Sequence, residues 1–363
     1  CPRRRNKMGF AKHMETTIVP KLYFHTCSFL REGGKELKFE PAVFGSLFLI
    51  SLVAYGRAIR FRPILEKKSI RTWETLNRRL SNRYPLISGL AGELLSKATL
   101  SESKQFCDRI IDEFEPVGYL NPYALPDLYA KLKDGVRTNY RIDRGASEKI
   151  SGKELLHKTQ YFTEPHMVSF LVRQALSSLA NGERVDHASF PNIIDPAAGA
   201  FNFLIGALGE SRTLLGNSFS SKVEFTEFIG ERLFAYELDP LLAEFGALTL
   251  DLAHAQFLGA FTPHAPIFHS GRSDDDLGFL NAEAASRFLA ILPPGKRLLL
   301  TNPPYLGRRM MSLELKHFIK LTWPEANGDL CAAFTLCCVD AMRSGDVLGL
   351  VHQNSLFHLS SLS

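Results

Sequence analysis

Asn302, Pro303, Pro304 and Tyr305 follow directly on the apolar run Arg297-Leu298-Leu299-Leu300-Thr301. A run this short, apolar in its centre and closed by turn formers, reads as a strand buried on both faces. The two prolines stiffen the turn and remove two backbone donors, so the carbonyls of Asn302 and Pro303 have no following N–H competing for them locally. The result is a rigid, acceptor-rich turn beside an aromatic ring. It stands at the carboxyl end of a strand, where ligands bind in open α/β sheets. A plain surface turn satisfies the same four residues, so the rest of the chain has to decide.

Three further stretches carry residues of the same kind. In "DPAAGAFNFLIGAL" a carboxylate, Asp195, ends an apolar run and is followed by Ala197, a tight turn at Gly199, and then a helix containing Phe203. That order lets a ligand approach backbone N–H groups at a helix N-terminus. In "FAYELDP" Glu237 again ends an apolar run, and a carboxylate there can accept both hydroxyl hydrogens of a ribose. A helix N-cap cluster formed with Asp239 is the competing reading. In "KTQYFTEPHMVSFLVRQAL" Thr163 and Glu164 precede Pro165, which predicts a helix start.

The elements that must hold these residues alternate. Short apolar runs at "NIID" (192–195), "RLFAYE" (232–237), "PIFHS" (266–270), "RLLLT" (297–301) and "VLGLV" (347–351) are separated by helix-length segments. This pattern predicts βαβ units and an α/β fold with a doubly wound, mostly parallel sheet over residues 157–363. Residues 1–156 read as a mainly helical region, broken by Gly33-Gly34, Pro63, Pro85 and the proline-rich "EPVGYLNPYALP".

Composition narrows the class. With 363 residues, 45% apolar and 22% charged, the chain has material for two domains and a sizeable core. The net charge of +5 is unevenly spread. Nine basic residues against Glu66 and Glu74 between Arg57 and Arg83 give that stretch +7 and leave the remainder at −2. Such a stretch suits a phosphate backbone, although a solvated helix face carries the same charges. Ile70, Trp73, Leu76 and Leu80 recur near helical spacing within it, so one amphipathic helix serves both readings.

Six cysteines show no C-x-x-C pairing, which argues against a structural zinc site or a disulfide framework. Cys331, Cys337 and Cys338 read as small apolar residues of a buried helix. The uncharged "PAVFGSLFLISLVAYG" (41–56) has 16 residues against the roughly 20 that span hydrocarbon, so a buried helix is expected. Without a secretion signal, the expected location is the cytoplasm. A chain that starts at Cys1 without Met reads as a fragment at its beginning.

Taken in order, these motifs resemble those of S-adenosylmethionine-dependent adenine-N6 DNA methyltransferases. Asn302-Pro303-Pro304-Tyr305 matches the family's Asn-Pro-Pro-Tyr motif, and "DPAAG" matches its Asp-Pro-Ala-x-Gly cofactor loop. "YFTEP" is similar to the Tyr-x-Thr-Pro motif that precedes that loop. The tail from "NPPYLGRRMM" to "VHQNSLFHLSS" looks most like the large methyltransferases of BREX-type phage-defence systems, the PglX family. The resemblance spans residues 157–363 and implies a Rossmann-like methyltransferase fold. The resembling enzymes continue into further strands and a target-recognition region, so the chain is expected to be incomplete at its C-terminus.

The resemblance also implies roles. Tyr161, Thr163, Asp195, Ala197, Gly199, Phe203, Glu237 and Asp239 would bind S-adenosylmethionine, with Glu237 on the ribose and Asp239 beside the adenine. The helix start at Thr163 would receive the carboxylate of the cofactor's methionine. Asn302, Pro303 and Tyr305 would be catalytic. No metal is implied, and double-stranded DNA and defence-system proteins are the implied partners. A second glycine common in the family's loop is Phe201 here, and Phe does not give the backbone the same close approach. The family's acidic residue after the third strand has no clear counterpart in "SGRSDDD", which reads as a solvated loop.

An exocyclic adenine amine is a poor nucleophile because its lone pair is delocalised into the ring. Hydrogen bonds from its two hydrogens to the Asn302 side-chain oxygen and the Pro303 carbonyl would localise that pair. The adenine would have to leave the duplex, and Tyr305 offers a ring on which it could stack. An RNA base or a protein glutamine amide fits the same turn, and a non-catalytic cofactor- or DNA-binding fragment is the third reading.

Overall fold

The computed structural model describes residues 81–96, isolated positions between 105 and 129, and residues 163–182, 185–258, 267–270 and 277–352. The expected helix at 41–56, the basic stretch up to residue 80, Tyr161, the acidic loop at 271–276, and Cys1, Cys27 and Cys107 lie outside the described residues. The chain divides into two compact units, Cys1–Ser147 with Asp251–Thr262, and Glu148–Leu250 with Pro263–Ser363.

The larger unit is built on five strands: β1 (Asn192–Asp195), β2 (Leu233–Glu237), β3 (Ile267–Ser270), β4 (Arg297–Thr301) and β5 (Val347–Leu350). Each lies within an apolar run singled out in the sequence. All pairings are parallel, in the order β3-β2-β1-β4-β5. The registers Ile193↔Leu233, Ile193↔Leu298 and Leu299↔Leu348 fix the central strands. Every residue of β1, β2 and β4 is buried, as continuous apolar runs require when helices cover both faces.

In the smaller unit, helix α1 (Pro85–Ser96) follows a buried Tyr84. In the larger unit α2 (Pro165–Ala180) and α3 (Asn202–Leu215) pack on each other and on the sheet, α2 against β4 and β5, α3 against β1 and β2. Gly349 makes that approach possible, because a Cβ there would lie 2.8 Å from Leu300 Cδ2 and 3.2 Å from Leu171 Cγ. The opposite face buries Ile194, Phe234, Tyr236 and Leu299 under α6 (Ala282–Ala290), α7 (Leu313–Thr322) and α8 (Leu330–Asp340). Cys331, Cys337 and Cys338 lie on α8 as buried free thiols, as expected from their spacing. Helix α4 (Lys222–Gly230) precedes β2, and α5 (Pro240–Leu258) leaves it.

Helix boundaries follow local chemistry. Pro165 opens α2 at its first turn and left-handed Asn181 (φ 48°) closes it. Asp239 Oδ1 accepts from the backbone N–H of Leu241 and Leu242 at the head of α5, and Asp329 Oδ1 accepts from Cys331 N–H at the head of α8. Among the described residues no helix is long and apolar enough to cross a membrane.

Candidate active site

The sheet order places β1 between β2 and β4, so the crevice outside their carboxyl ends lies at the point where the winding reverses. Asp195, Glu237 and Asn302 stand at these ends because each directly ends or follows a strand. The helix-cap alternative for the second of them is met only by its neighbour. Asp239 caps α5, whereas Glu237 turns its carboxylate to the loop after β1.

Glu237 is held by two backbone donors. Gly199 N–H donates to Oε2 (2.7 Å) and Asp239 N–H to Oε1 (2.9 Å). Each oxygen keeps a further lone pair for a ligand hydroxyl. Asp195 Oδ1 accepts from Ala197 N–H (3.2 Å), which bends the chain out of β1, and Ala198 N–H donates to Tyr236 O (3.0 Å), which ties the bend to β2. Burial pushes the Asp195 carboxyl up to about 8 and that of Glu237 to about 7. Two carboxyls are thus kept close to neutrality beside a loop of backbone donors.

The loop continues through two left-handed residues, Gly199 (φ 53°) and Phe201 (φ 65°). Phe201 therefore adopts the conformation a glycine would take at that position, at a steric cost of about 1–2 kcal/mol for a side-chain-bearing residue. Its ring is fully buried and lies flat on α5, where Gly246 makes room. A Cβ at Gly246 would stand 2.5 Å from Phe201 Cδ1. The next residues, Asn202 and Phe203, start α3 and are buried. The Asn202 side-chain oxygen is buried with no hydrogen-bond partner, a free acceptor within the loop.

The acceptor turn closes the other side. Asn302 Nδ2 donates to Thr163 Oγ1 (3.0 Å), and Asn202 Nδ2 donates to Thr163 O (3.2 Å). Thr163 therefore touches both the loop after β1 and the turn after β4. Tyr305 is half-buried, with its hydroxyl 2.8 Å from Asn302 Oδ1 and 2.8 Å from Val351 O beyond β5. Its ring stands edge-on to His352, whose Nε2 is 2.9 Å from Cys331 Sγ. Burial raises the Tyr305 hydroxyl above the usual phenol range and pushes the Cys331 thiol up to about 12, so both keep their protons at neutral pH. Pro303 is buried.

No protein-family model and no curated protein sequence matches the chain. Solved structures do. The DrdV–DNA complex, determined by cryo-electron microscopy, aligns at a TM-score of 0.51 and 14% identity over 99% of this chain and 36% of that one. The likeness lies in the fold. The Type IIL restriction-modification enzyme MmeI in complex with DNA aligns at 0.49 and 13% identity, over 93% of this chain and 50% of that one. A type I restriction-modification system methyltransferase subunit from Streptococcus thermophilus aligns at 0.40 and 11% identity, over 92% and 74%. The chain thus spans about a third of DrdV and half of MmeI.

Of the residues singled out in the sequence, Thr163, Asp195, Ala197, Gly199, Glu237, Asn302 and Tyr305 are joined by the hydrogen bonds given above, directly or through one intermediary. Phe203 is buried inside α3 and Asp239 is engaged as a helix cap. Sequence reading missed Asn202, Gly246 and the tether from Tyr305 to Val351. A polar residue at the start of a helix after a glycine turn could have pointed to Asn202. Nothing local could have paired Gly246 with Phe201.

Proposed function

We propose that this chain carries the methyltransferase module of an adenine-N6 DNA methyltransferase of restriction-modification or phage-defence type, using S-adenosylmethionine. The observation that carries the proposal is the Thr163–Asn302 hydrogen bond. It brings the acceptor turn against the loop that Glu237 holds, so a methyl donor and a planar amine would meet at one crevice.

The residues present fit the cofactor. The two free lone pairs of Glu237 suit the vicinal hydroxyls of a ribose, and the partnerless Asn202 oxygen suits an ammonium group. Asp195, Ala197, Gly199 and Phe203 would form the loop against it, with Thr163 and Tyr161 at the entrance and Asp239 near the adenine. Bound there, the cofactor supplies an electrophilic methyl group. The chain's own residues act on the target. Asn302 Oδ1 and the Pro303 carbonyl accept the two amine hydrogens, localise the nitrogen lone pair, and stabilise the positive charge that develops on the nitrogen. Holding the nitrogen in line supplies much of the remaining acceleration. Tyr305 offers ring surface to an adenine turned out of the duplex, a contact of about 1–3 kcal/mol at comparable stacking sites.

Calorimetric titration with S-adenosylmethionine, followed by tritium transfer to DNA, RNA and protein in parallel, tests the reading. Cofactor binding with label on adenine of DNA is the expected result. Label on RNA or protein alone would redirect the substrate, and no cofactor binding would end the proposal.

A further inference from the structure

Thr163 sits where the two halves of the site meet. Its carbonyl holds Asn202 at the head of α3, and its hydroxyl oxygen holds the Asn302 carboxamide, 139 residues further along the chain. On the other side of that carboxamide, one phenolic proton on Tyr305 lies within reach of two acceptors, Asn302 Oδ1 and Val351 O.

This arrangement makes the orientation of Asn302 a choice. With the phenolic proton on Asn302 Oδ1, the carboxamide points its oxygen to Tyr305 and its NH2 to Thr163. With the proton on Val351 O, the carboxamide oxygen would face a bare phenol oxygen. A turned carboxamide would then bond better, with NH2 to Tyr305 and oxygen to Thr163, because a hydroxyl donates as readily as it accepts. The two orientations differ little in hydrogen bonding, yet they present opposite chemistry to an amine.

We propose that Thr163 is a positioning residue that sets the Asn302 carboxamide with Oδ1 toward Tyr305, where its second lone pair serves the target amine. Because the same residue's carbonyl is tied to Asn202, order in the loop after β1 is passed to the acceptor turn. The inference rests on the proposed acceptor role of Asn302.

Thr163→Val removes the hydroxyl and keeps the branched shape and the carbonyl, while Thr163→Ser keeps the hydroxyl. In the full-length enzyme at saturating DNA and cofactor, Thr163→Val lowers kcat roughly tenfold to a hundredfold, the cost of a buried polar group left without its partner. Cofactor Kd stays near the wild-type value, Thr163→Ser restores turnover, and Thr163→Val added to Asn302→Ala gives no further loss. An activity-independent arm uses ligand-free chain labelled with 15N-asparagine. The Asn302 side-chain NH2 signal, identified by its loss in Asn302→Ala, shifts in Thr163→Val and not in Thr163→Ser. Should Thr163→Val not fold, Thr163→Ala gives the same readouts. Additive losses, a defect confined to cofactor Kd, or an unmoved Asn302 signal overturns the proposal. A wild-type enzyme that methylates no adenine would instead overturn the functional reading, and the NMR arm would still decide the orientation.

Discussion

At the amino ends of β4 and β5, Arg297 and Asp346 are each 3% exposed and face one another, with the guanidinium also donating to Ala341 O (2.8 Å) and Asp346 accepting from the backbone N–H of Arg297 and Arg343. At the carboxyl ends of β1 and β2, Asp195 and Glu237 are nearly as buried, yet among the described residues neither meets a cation. Burial of charge is equally expensive at both ends. One end offsets it with a complete set of partners, whereas the other leaves carboxyls shifted toward neutrality, a left-handed phenylalanine and a free amide oxygen. An unsatisfied end of this sort is what a ligand completes, and strain of this kind gathers where function is built.

The largest effect should come from breaking the satisfied end. Asp346→Ala leaves Arg297 buried and unpaired, so urea denaturation should show a loss of about 3–5 kcal/mol. Replacing both partners with apolar residues should recover much of it. Asn302→Ala at the open end should leave stability almost unchanged and lower turnover on the order of 10²–10³. Equal losses of stability from both variants would erase the contrast between the ends.

Glu237→Ala should weaken S-adenosylmethionine binding by about 1.5–3 kcal/mol, the value of hydrogen bonds to a charged acceptor. The sign with pH follows from its raised carboxyl at about 7. Ribose hydroxyls donate to the ionised form, so wild-type affinity should fall as pH drops below about 7, and Glu237→Gln should flatten that profile in calorimetry. Without ligand the sign reverses. Both carboxyls hold protons in the folded chain that they would release on unfolding, so the fold loses stability as pH rises from the unfolded carboxylate range toward about 8. The smallest effect belongs to Gly246→Ala. Crowding the Phe201 ring costs about 1–3 kcal/mol and better helix propensity returns about 1. The net loss should vanish in a Phe201→Ala background, which a double-mutant cycle reads directly.

The five strands were legible because buried parallel strands leave a plain signature, a short apolar run ended by turn residues, and "NIID" and "RLLLT" coincide with the observed elements residue for residue. Asp195, Glu237 and Asn302 could be found by the same token, since a polar residue ending such a run stands at a ligand-facing position. The loop conformation at Phe201 could not. Its side chain argues against a left-handed backbone, and the reason it is tolerated, Gly246, lies on a helix beyond the next strand. The grip of Thr163 on Asn302 and of Tyr305 on Val351 escaped for the same reason, since such pairs exist only once the sheet has assembled.

The strand order also dictates a schedule. Asn192 to Asp195 form the middle strand, yet one neighbour, β2, follows closely in the chain while the other, β4, comes only after β3 and α6. A ribosome adds about 5–20 residues per second, so for several seconds the nascent chain can pair β1 with β2 while the opposite edge of β1 stays open. That edge is apolar, uncharged but for Asp195, and free of proline, with none of the features that discourage edge-to-edge pairing. Until Arg297–Thr301 arrives to cover it, the newborn chain carries its stickiest surface at its own centre.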